Sequence, residues 1–84
     1  MVRVNYTIKN EEGLHARPAS DFCKTAGKFS SDIRIIKDGN EYEAKSILHV
    51  LCVGAAKGDT IEIKAEGDDE QAAVDALIAT LDME

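Results

Sequence analysis

The chain of 84 residues carries 10 basic and 16 acidic side chains, which gives a formal net charge of −6 at pH 7. This acidic balance argues against nucleic-acid binding, which depends on clusters of Lys and Arg, and no apolar run approaches the roughly 20 residues that a membrane span needs. The length suits one small unit, so residues 1–84 are interpreted as a single domain. We expect a cytoplasmic protein without a signal peptide, because the first residues lead directly into a strand pattern.

The first two predicted elements flank a short polar junction. Apolar and polar residues alternate from Val2 to Lys9, which predicts a strand with one buried face. Apolar residues at helical spacing from Ala19 to Phe29 predict a helix that Gly27 could end. The only proline of the chain, Pro18, fits the first turn of this helix, where its missing N–H costs nothing.

The junction therefore places His15 and Arg17 at or just before a helix N-terminus. Unpaired backbone N–H groups and the helix dipole make such a place attractive to an anion. A neutral imidazole there can act as a nucleophile, and a guanidinium can hold phosphate oxygens in a fork. Alternatively, His15 is only a cap or surface residue and Arg17 only a solvated charge. The residues alone predict an anion-linked histidine and no particular substrate.

The middle of the chain predicts a hairpin followed by a short helix. Strands are predicted at Ile33 to Lys37 and at Asn40 to Ala44, joined by an Asp38-Gly39 turn that needs positive φ. The glutamates of the second strand suit a sheet edge. Ser46 is a good N-cap for a helix from Ile47 to Val53.

The last part of the chain predicts one more strand and one more helix. Alternation from Thr60 to Glu66 predicts a strand with one buried face. The final helix begins in the acidic run after Gly67, where Asp68 and Gln71 resemble a capping box. Its apolar stripe contains Val74, Leu77, Ile78 and Leu81. The order βαββαβα with one-sided strands predicts an open-faced two-layer α/β sandwich.

The two cysteines and a neighbouring histidine raise two further questions. Cys23 and Cys52 lie in apolar helical patterns and are expected to be buried, reduced thiols rather than a disulfide. His49 and Cys52 are three residues apart on one helix, which is the spacing of half a metal site. No second half-site is evident, so we expect neither a metal nor another cofactor.

Two stretches of the chain resemble a known family. Gly13 to Ala19 reads Gly-Leu-His-Ala-Arg-Pro-Ala and resembles the phosphorylation-site signature of HPr, the histidine-containing phosphocarrier of the bacterial phosphotransferase system. Lys45 to Leu48 resembles the family's second signature, around its regulatory serine. The resemblance extends over essentially the whole chain. It implies an α+β fold in which a four-stranded antiparallel sheet of order 1-4-2-3 carries three helices on one face.

The resemblance also implies a function and partners. His15 would accept a phosphoryl group on Nδ1 from phosphorylated enzyme I, which is charged by phosphoenolpyruvate, and would pass it to enzyme II A domains in sugar uptake. Arg17 would stabilise the phosphate, and a serine kinase/phosphorylase would act on Ser46. Partners would dock on the second predicted helix through Ile47, Leu48, His49 and Leu51. We expect the protein to be a monomer.

Other functions stay open at this point. The chain could be a regulatory phosphocarrier of a nitrogen- or carbon-control branch that moves no sugar. It could also be a binding module that no longer needs phosphate on histidine. Family branches of that last kind replace the histidine, so the presence of both His15 and Arg17 favours a carrier. Likewise, Ser46 could be a plain helix cap, and the apolar residues after it could belong to the core.

Overall fold

The computed structural model describes all residues from Met1 to Glu84 and has the predicted element order βαββαβα. The strands are β1 (Val2–Thr7), β2 (Asp32–Lys37), β3 (Asn40–Glu43) and β4 (Thr60–Glu66). The helices are α1 (Ala16–Ala26), α2 (Ile47–Cys52) and α3 (Glu70–Asp82). None of these helices combines the length and the apolar character that crossing a membrane would require.

The four strands form one antiparallel sheet in the order β1-β4-β2-β3, which confirms the predicted topology. β4 lies between β1 and β2, so that its Ile63 pairs with Val4 on one side and with Ile35 on the other. β3 is an edge strand, as its glutamates predicted. The turn that leads into it has positive φ at both central residues, +54° at Asp38 and +82° at Gly39.

The core fills the space between the sheet and the helices. Alternate residues of each strand point to the helical side, and each helix contributes one apolar stripe. Phe22 of α1 is the largest fully buried side chain. The other large members of the cluster come from both layers and include Ile8, Leu14, Ile33, Ile35, Val50, Ile61, Ile63, Val74 and Leu77. The helices therefore cover one face of the sheet only.

Two details of the sequence prediction are wrong. α1 begins at Ala16 instead of Ala19 and ends at Ala26 instead of Phe29. Its first residues, Ala16 and Arg17, are exposed, so the apolar pattern carries no sign of them. The two cysteines are free thiols as expected, but only Cys23 is half-buried, whereas Cys52 is exposed.

The predicted capping box at the start of α3 is also wrong. The N-cap is Asp69, and its carboxylate does not cap the helix. Instead, one carboxylate oxygen accepts the Ser30 N–H at 2.9 Å, and the other accepts the Ser31 N–H at 3.0 Å and the hydroxyl of the buried Ser31. Asp69 thus joins α3 to the segment that enters β2.

These hydrogen bonds give the stability a pH dependence. They hold the pKa of Asp69 below its usual range, and the hydrogen bond from the Ser31 hydroxyl has the largest effect, ahead of those from the Ser30 and Ser31 amides. A carboxylate whose pKa is lowered by folding stabilises the fold at pH values above its unfolded-state pKa of about 3.9. This stabilisation is lost as the pH falls through the folded-state pKa. At pH 7 we expect Asp69→Asn to lower the melting temperature by several degrees.

The matched control for this prediction is Asp68→Asn, because Asp68 is exposed on the same acidic run. The difference in melting temperature between the two variants should begin to shrink below about pH 4 and should vanish only below the lowered folded-state pKa of Asp69, where its carboxylate becomes protonated. Thermal unfolding followed by circular dichroism, at pH 7 and again in the acidic range, measures this difference in melting temperature. Equal melting temperatures of the two variants at pH 7 would contradict the anchoring role of Asp69.

Candidate functional site

The segment that precedes α1 packs closely against the loop between α2 and β4 and is hydrogen-bonded to it. Leu14 donates its N–H to the carbonyl of Ala55 at 2.8 Å, and its side chain is only 1% exposed. Gly13 has a φ of +68°, and a Cβ there would lie 2.5 Å from the Ala55 carbonyl oxygen and 2.9 Å from Ala56 Cα. Only glycine allows this close approach of the two backbones. The backbone immediately before His15 is therefore held in one position.

His15 is the N-cap residue of α1. Its backbone is extended, with φ −132° and ψ 169°, and its carbonyl accepts the Ala19 N–H at 3.4 Å. The imidazole makes no capping hydrogen bond and is exposed. A ring that is exposed and not tied to a protein partner is accessible to another molecule. The structure therefore places His15 at the helix N-terminus that the sequence predicted.

The first turn of α1 presents free donors beside this imidazole. The N–H groups of Ala16 and Arg17 have no acceptor within the protein, and Pro18 has no N–H to offer. Ala16 has a φ of +50°, in the left-handed region that non-glycine residues rarely adopt, at a cost of about 1–3 kcal/mol. Together with the helix dipole, the two amides make this turn suitable for an anion.

Arg17 follows His15 by two positions in the chain, but no hydrogen bond joins their side chains. The guanidinium is 79% exposed, and its Nη2 lies 3.7 Å from Glu84 Oε1. Contact with the Asp21 carboxyl and partial enclosure raise the pKa of Glu84, whereas Arg17 acts in the opposite direction. The guanidinium of this pair is exposed, although the Glu84 side chain is covered, and the 3.7 Å separation is too long for a hydrogen bond. The ion pair therefore resists only weakly a turn of Arg17 towards a new anion.

The second predicted site lies on α2. Ser46 is the N-cap as expected, and its Oγ accepts the His49 N–H at 3.4 Å. Val50 is the only residue of α2 that is buried. Ile47, Leu48 and Leu51 are 40%, 72% and 39% exposed, respectively, and are called the α2 patch below. This exposure excludes the alternative that these three residues belong to the core, and docking on the patch stays a prediction.

The two predicted sites belong to neighbouring helices. α2 packs against α1, and the thiol of Cys23 on α1 donates to the Lys45 carbonyl at 3.1 Å, just before Ser46. Lys45 also donates its ammonium to the Phe29 carbonyl at 2.8 Å. The segment around Ser46 is thus fixed to the helix that begins beside His15.

Sequence reasoning missed three features of the site. The Ala55 carbonyl that holds Leu14 comes from a distant loop, and the only signal for it was Gly13 itself. Asn10 donates its side-chain amide to the Gly13 carbonyl at 2.9 Å and so shapes the turn from within. His49, predicted only as a docking residue, accepts the Glu43 N–H on its Nδ1 at 3.1 Å. Nothing in the local pattern indicates that contact.

Comparisons with known proteins agree on one family. A family model described as the phosphorylation site of the PTS HPr component matches residues 2–82. The chain is 43% identical over 84 residues to the HPr-like protein Crh of Halalkalibacterium halodurans, and the match covers 100% of each chain. It is 38% identical over 81 residues to the phosphocarrier protein HPr of Cupriavidus necator, covering 96% of this chain and 91% of that protein.

A solved structure shares the fold as well. The crystal structure of HPr-C-His from Thermoanaerobacter tengcongensis superposes on this chain with a TM-score of 0.95. The two sequences are 45% identical, and the match covers 98% of this chain and 92% of that one. The likeness therefore includes every strand and helix described above.

Proposed function

This chain belongs to the HPr family of phosphocarriers, and on this premise we propose that His15 accepts a phosphoryl group from phosphorylated enzyme I and passes it to enzyme II A domains in sugar uptake. One observation carries the proposal. The exposed imidazole of His15 stands at the N-cap of α1, beside the free amides of Ala16 and Arg17. A nucleophile and an anion-binding turn are thereby combined at one point of the surface.

The transfer needs little more than these groups. The lone pair of a neutral imidazole nitrogen, Nδ1 in this proposal, forms the new P–N bond while the bond to the donor breaks and its electrons leave with the donor. The phosphoryl oxygens carry the negative charge, which the two amides and the Arg17 guanidinium stabilise. The same contacts serve the onward transfer, because that step passes through the same kind of charge distribution. No further catalytic group is required on this chain.

The α2 patch is proposed as the surface on which partners dock. Exposed apolar groups that lie close together often mark a binding site. The patch is on α2, which packs against α1, so a partner that covers it lies beside the helix that begins next to His15. Docking would also remove water from the first turn of α1 and strengthen the interactions with the phosphoryl oxygens.

The direct test is incubation of the protein with phosphoenolpyruvate and enzyme I, followed by intact-mass measurement. We expect a mass increase of one phosphoryl group that disappears in mild acid, as a phosphoramidate bond does, and survives in base. Addition of an enzyme II A domain should discharge it. Omitting either phosphoenolpyruvate or enzyme I is the control, and no mass increase in the complete mixture would contradict the proposal.

Ser46 supports a second, regulatory function. Its hydroxyl lies at the N-terminus of α2 and at the rim of the α2 patch. A phosphate added there by a serine kinase/phosphorylase would bring a charge of about −1.5 to −2 to the positive end of the helix, which tolerates it. The same negative charge would face partners that carry or accept a negatively charged phosphoryl group, and like-charge repulsion would weaken their docking.

We therefore expect Ser46→Asp to keep the melting temperature within a few degrees of wild type but to slow phosphorylation of His15 by enzyme I several-fold. Ser46→Asn is the matched control, because Asn caps helices as well as Asp but carries no charge. Initial rates of phosphorylation at equal protein concentration measure the effect. A wild-type rate for Ser46→Asp, or equal slowing in both variants, would leave Ser46 as a cap only.

A further inference from the structure

The imidazole of His49 connects α2 to the end of β3 by a hydrogen bond. Its Nδ1 accepts the backbone N–H of Glu43, the last residue of β3, at 3.1 Å. In the opposite direction, the Ser46 hydroxyl accepts the backbone N–H of His49 at 3.4 Å. Two hydrogen bonds thus cross between the first turn of α2 and the segment that leads into it.

The Glu43 N–H lies on the free edge of the sheet. Glu43 pairs with Arg34 in the antiparallel register, and the next residue, Ala44, donates its N–H to the Ile33 carbonyl at 3.1 Å. Hydrogen-bonded and non-hydrogen-bonded pairs alternate along such a ladder, so the Glu43 N–H points away from β2. On this side of the edge strand, the His49 ring supplies the acceptor that the sheet does not.

This contact requires a neutral imidazole. Nδ1 can accept a hydrogen bond only while the ring proton is on Nε2. A second proton would turn Nδ1 into a donor that faces another donor, the Glu43 N–H.

The other charged and titratable groups around this junction come from three elements and one connection. β3 carries Glu41, Tyr42 and Glu43, the β3–α2 connection carries Lys45, α1 carries Arg17, Asp21, Cys23 and Lys24, and α2 itself carries Cys52. Lys45 is bound to the Phe29 carbonyl, and the Glu43 carboxylate accepts the Lys45 N–H at 3.1 Å. None of these side chains takes the place of His49 at the Glu43 N–H.

We propose that His49 is a positioning residue whose neutral ring fixes α2 and Ser46 against the end of β3, and whose protonation releases them. When the His49 ring is protonated, α2 loses one of the hydrogen bonds that hold it to the segment before it. A partner that docks on the α2 patch must then order the first turn of α2 on binding, which weakens docking. This consequence rests on the proposed docking function, whereas the structural step does not.

The structural step is tested by NMR on the 15N-labelled protein between about pH 5 and pH 8, a range in which histidines titrate and carboxylates do not. In wild type, the chemical shift of the Glu43 amide, and its protection factor relative to the intrinsic exchange rate at each pH, should follow the titration of the His49 ring. His49→Asn keeps an acceptor near the position of Nδ1 but does not titrate, so the chemical shift and the protection factor of its Glu43 amide should not change with pH. In His49→Leu the Glu43 amide should exchange faster at every pH.

A Glu43 amide that ignores the His49 titration in wild type, or that is equally protected in His49→Leu, overturns the positioning role. The consequence for docking is tested by the ratio of the wild-type rate of phosphorylation by enzyme I to the His49→Asn rate. Any effect of pH on enzyme I or on the transfer step affects both proteins and cancels in this ratio. We expect the ratio to fall several-fold between pH 8 and pH 5, whatever its value at pH 8, because only the wild-type protein carries a ring at position 49 that can gain a proton.

A ratio that stays constant with pH overturns the docking consequence. Failure of enzyme I to phosphorylate any variant would instead overturn the proposed phosphocarrier function. In that case the NMR experiment still decides the positioning role of His49, because it requires no partner.

Discussion

His15→Ala is expected to abolish the acid-labile phosphorylation by phosphoenolpyruvate and enzyme I. The variant removes the nucleophile and leaves the anion-binding turn of α1 without a group that can form the P–N bond. The other histidine cannot replace it, because His49 lies on a different helix and its Nδ1 is occupied by the Glu43 N–H. The effect should be complete, with no phosphoryl group detected by intact mass.

The fold should survive this substitution. The His15 side chain is exposed and makes no hydrogen bond, so its removal costs no packing. We expect a melting temperature within a few degrees of wild type. His49→Ala is the control and should still be labelled on His15. Persistent acid-labile labelling of His15→Ala would show that another residue is the acceptor.

Arg17→Ala is expected to slow phosphoryl transfer in both directions by roughly 10- to 100-fold. A charge-assisted hydrogen bond contributes about 1.5–3 kcal/mol, and loss of that stabilisation in the transition state raises the barrier correspondingly. Arg17→Lys keeps the charge but not the planar fork of the guanidinium, so its transfer rate should lie between those of wild type and Arg17→Ala. Rates of phosphorylation by enzyme I and of discharge to an enzyme II A domain measure the effect.

Two controls separate this role from the contact that Arg17 makes here. Glu84→Gln removes the partner of the 3.7 Å ion pair and should leave transfer close to the wild-type rate. Lys24→Ala removes another exposed cation of α1 and tests whether net charge alone matters. If Arg17→Ala transfers at the wild-type rate in both directions, Arg17 is a solvated charge and the amides of α1 suffice.

Periodic and turn signals in the sequence predicted most of the sheet. Alternation placed β4 at Thr60–Glu66, where the structure has it, because each of its inward residues is buried. The Asp38-Gly39 dipeptide predicted the hairpin, because few residue pairs tolerate two successive positive φ values. The strand order 1-4-2-3 came from the family resemblance, since alternation does not determine which strands are neighbours.

The site was only partly predictable. His15 was placed correctly because Pro18 marks a first helical turn, but the true start of α1 at Ala16 was missed because that turn is solvent-exposed. The contacts of Asp69 with Ser30 and Ser31 join residues that are 38 or 39 positions apart, and no local pattern encodes them. The contact between His49 and Glu43 was not predictable from a local pattern either, because it depends on where the fold places the end of β3 relative to α2.

The most direct test of His15 as the phosphoryl acceptor is NMR on the 15N-labelled protein before and after phosphorylation by enzyme I and phosphoenolpyruvate. We expect the ring nitrogens of His15 to shift while those of His49 stay unchanged, and Nδ1 of His15 to show the direct coupling to phosphorus. The amide resonances of Ala16 and Arg17 should move with them, because these N–H groups gain the phosphoryl oxygens as acceptors. A phosphorylated protein in which the His15 ring and these two amides are unchanged would contradict phosphorylation of His15.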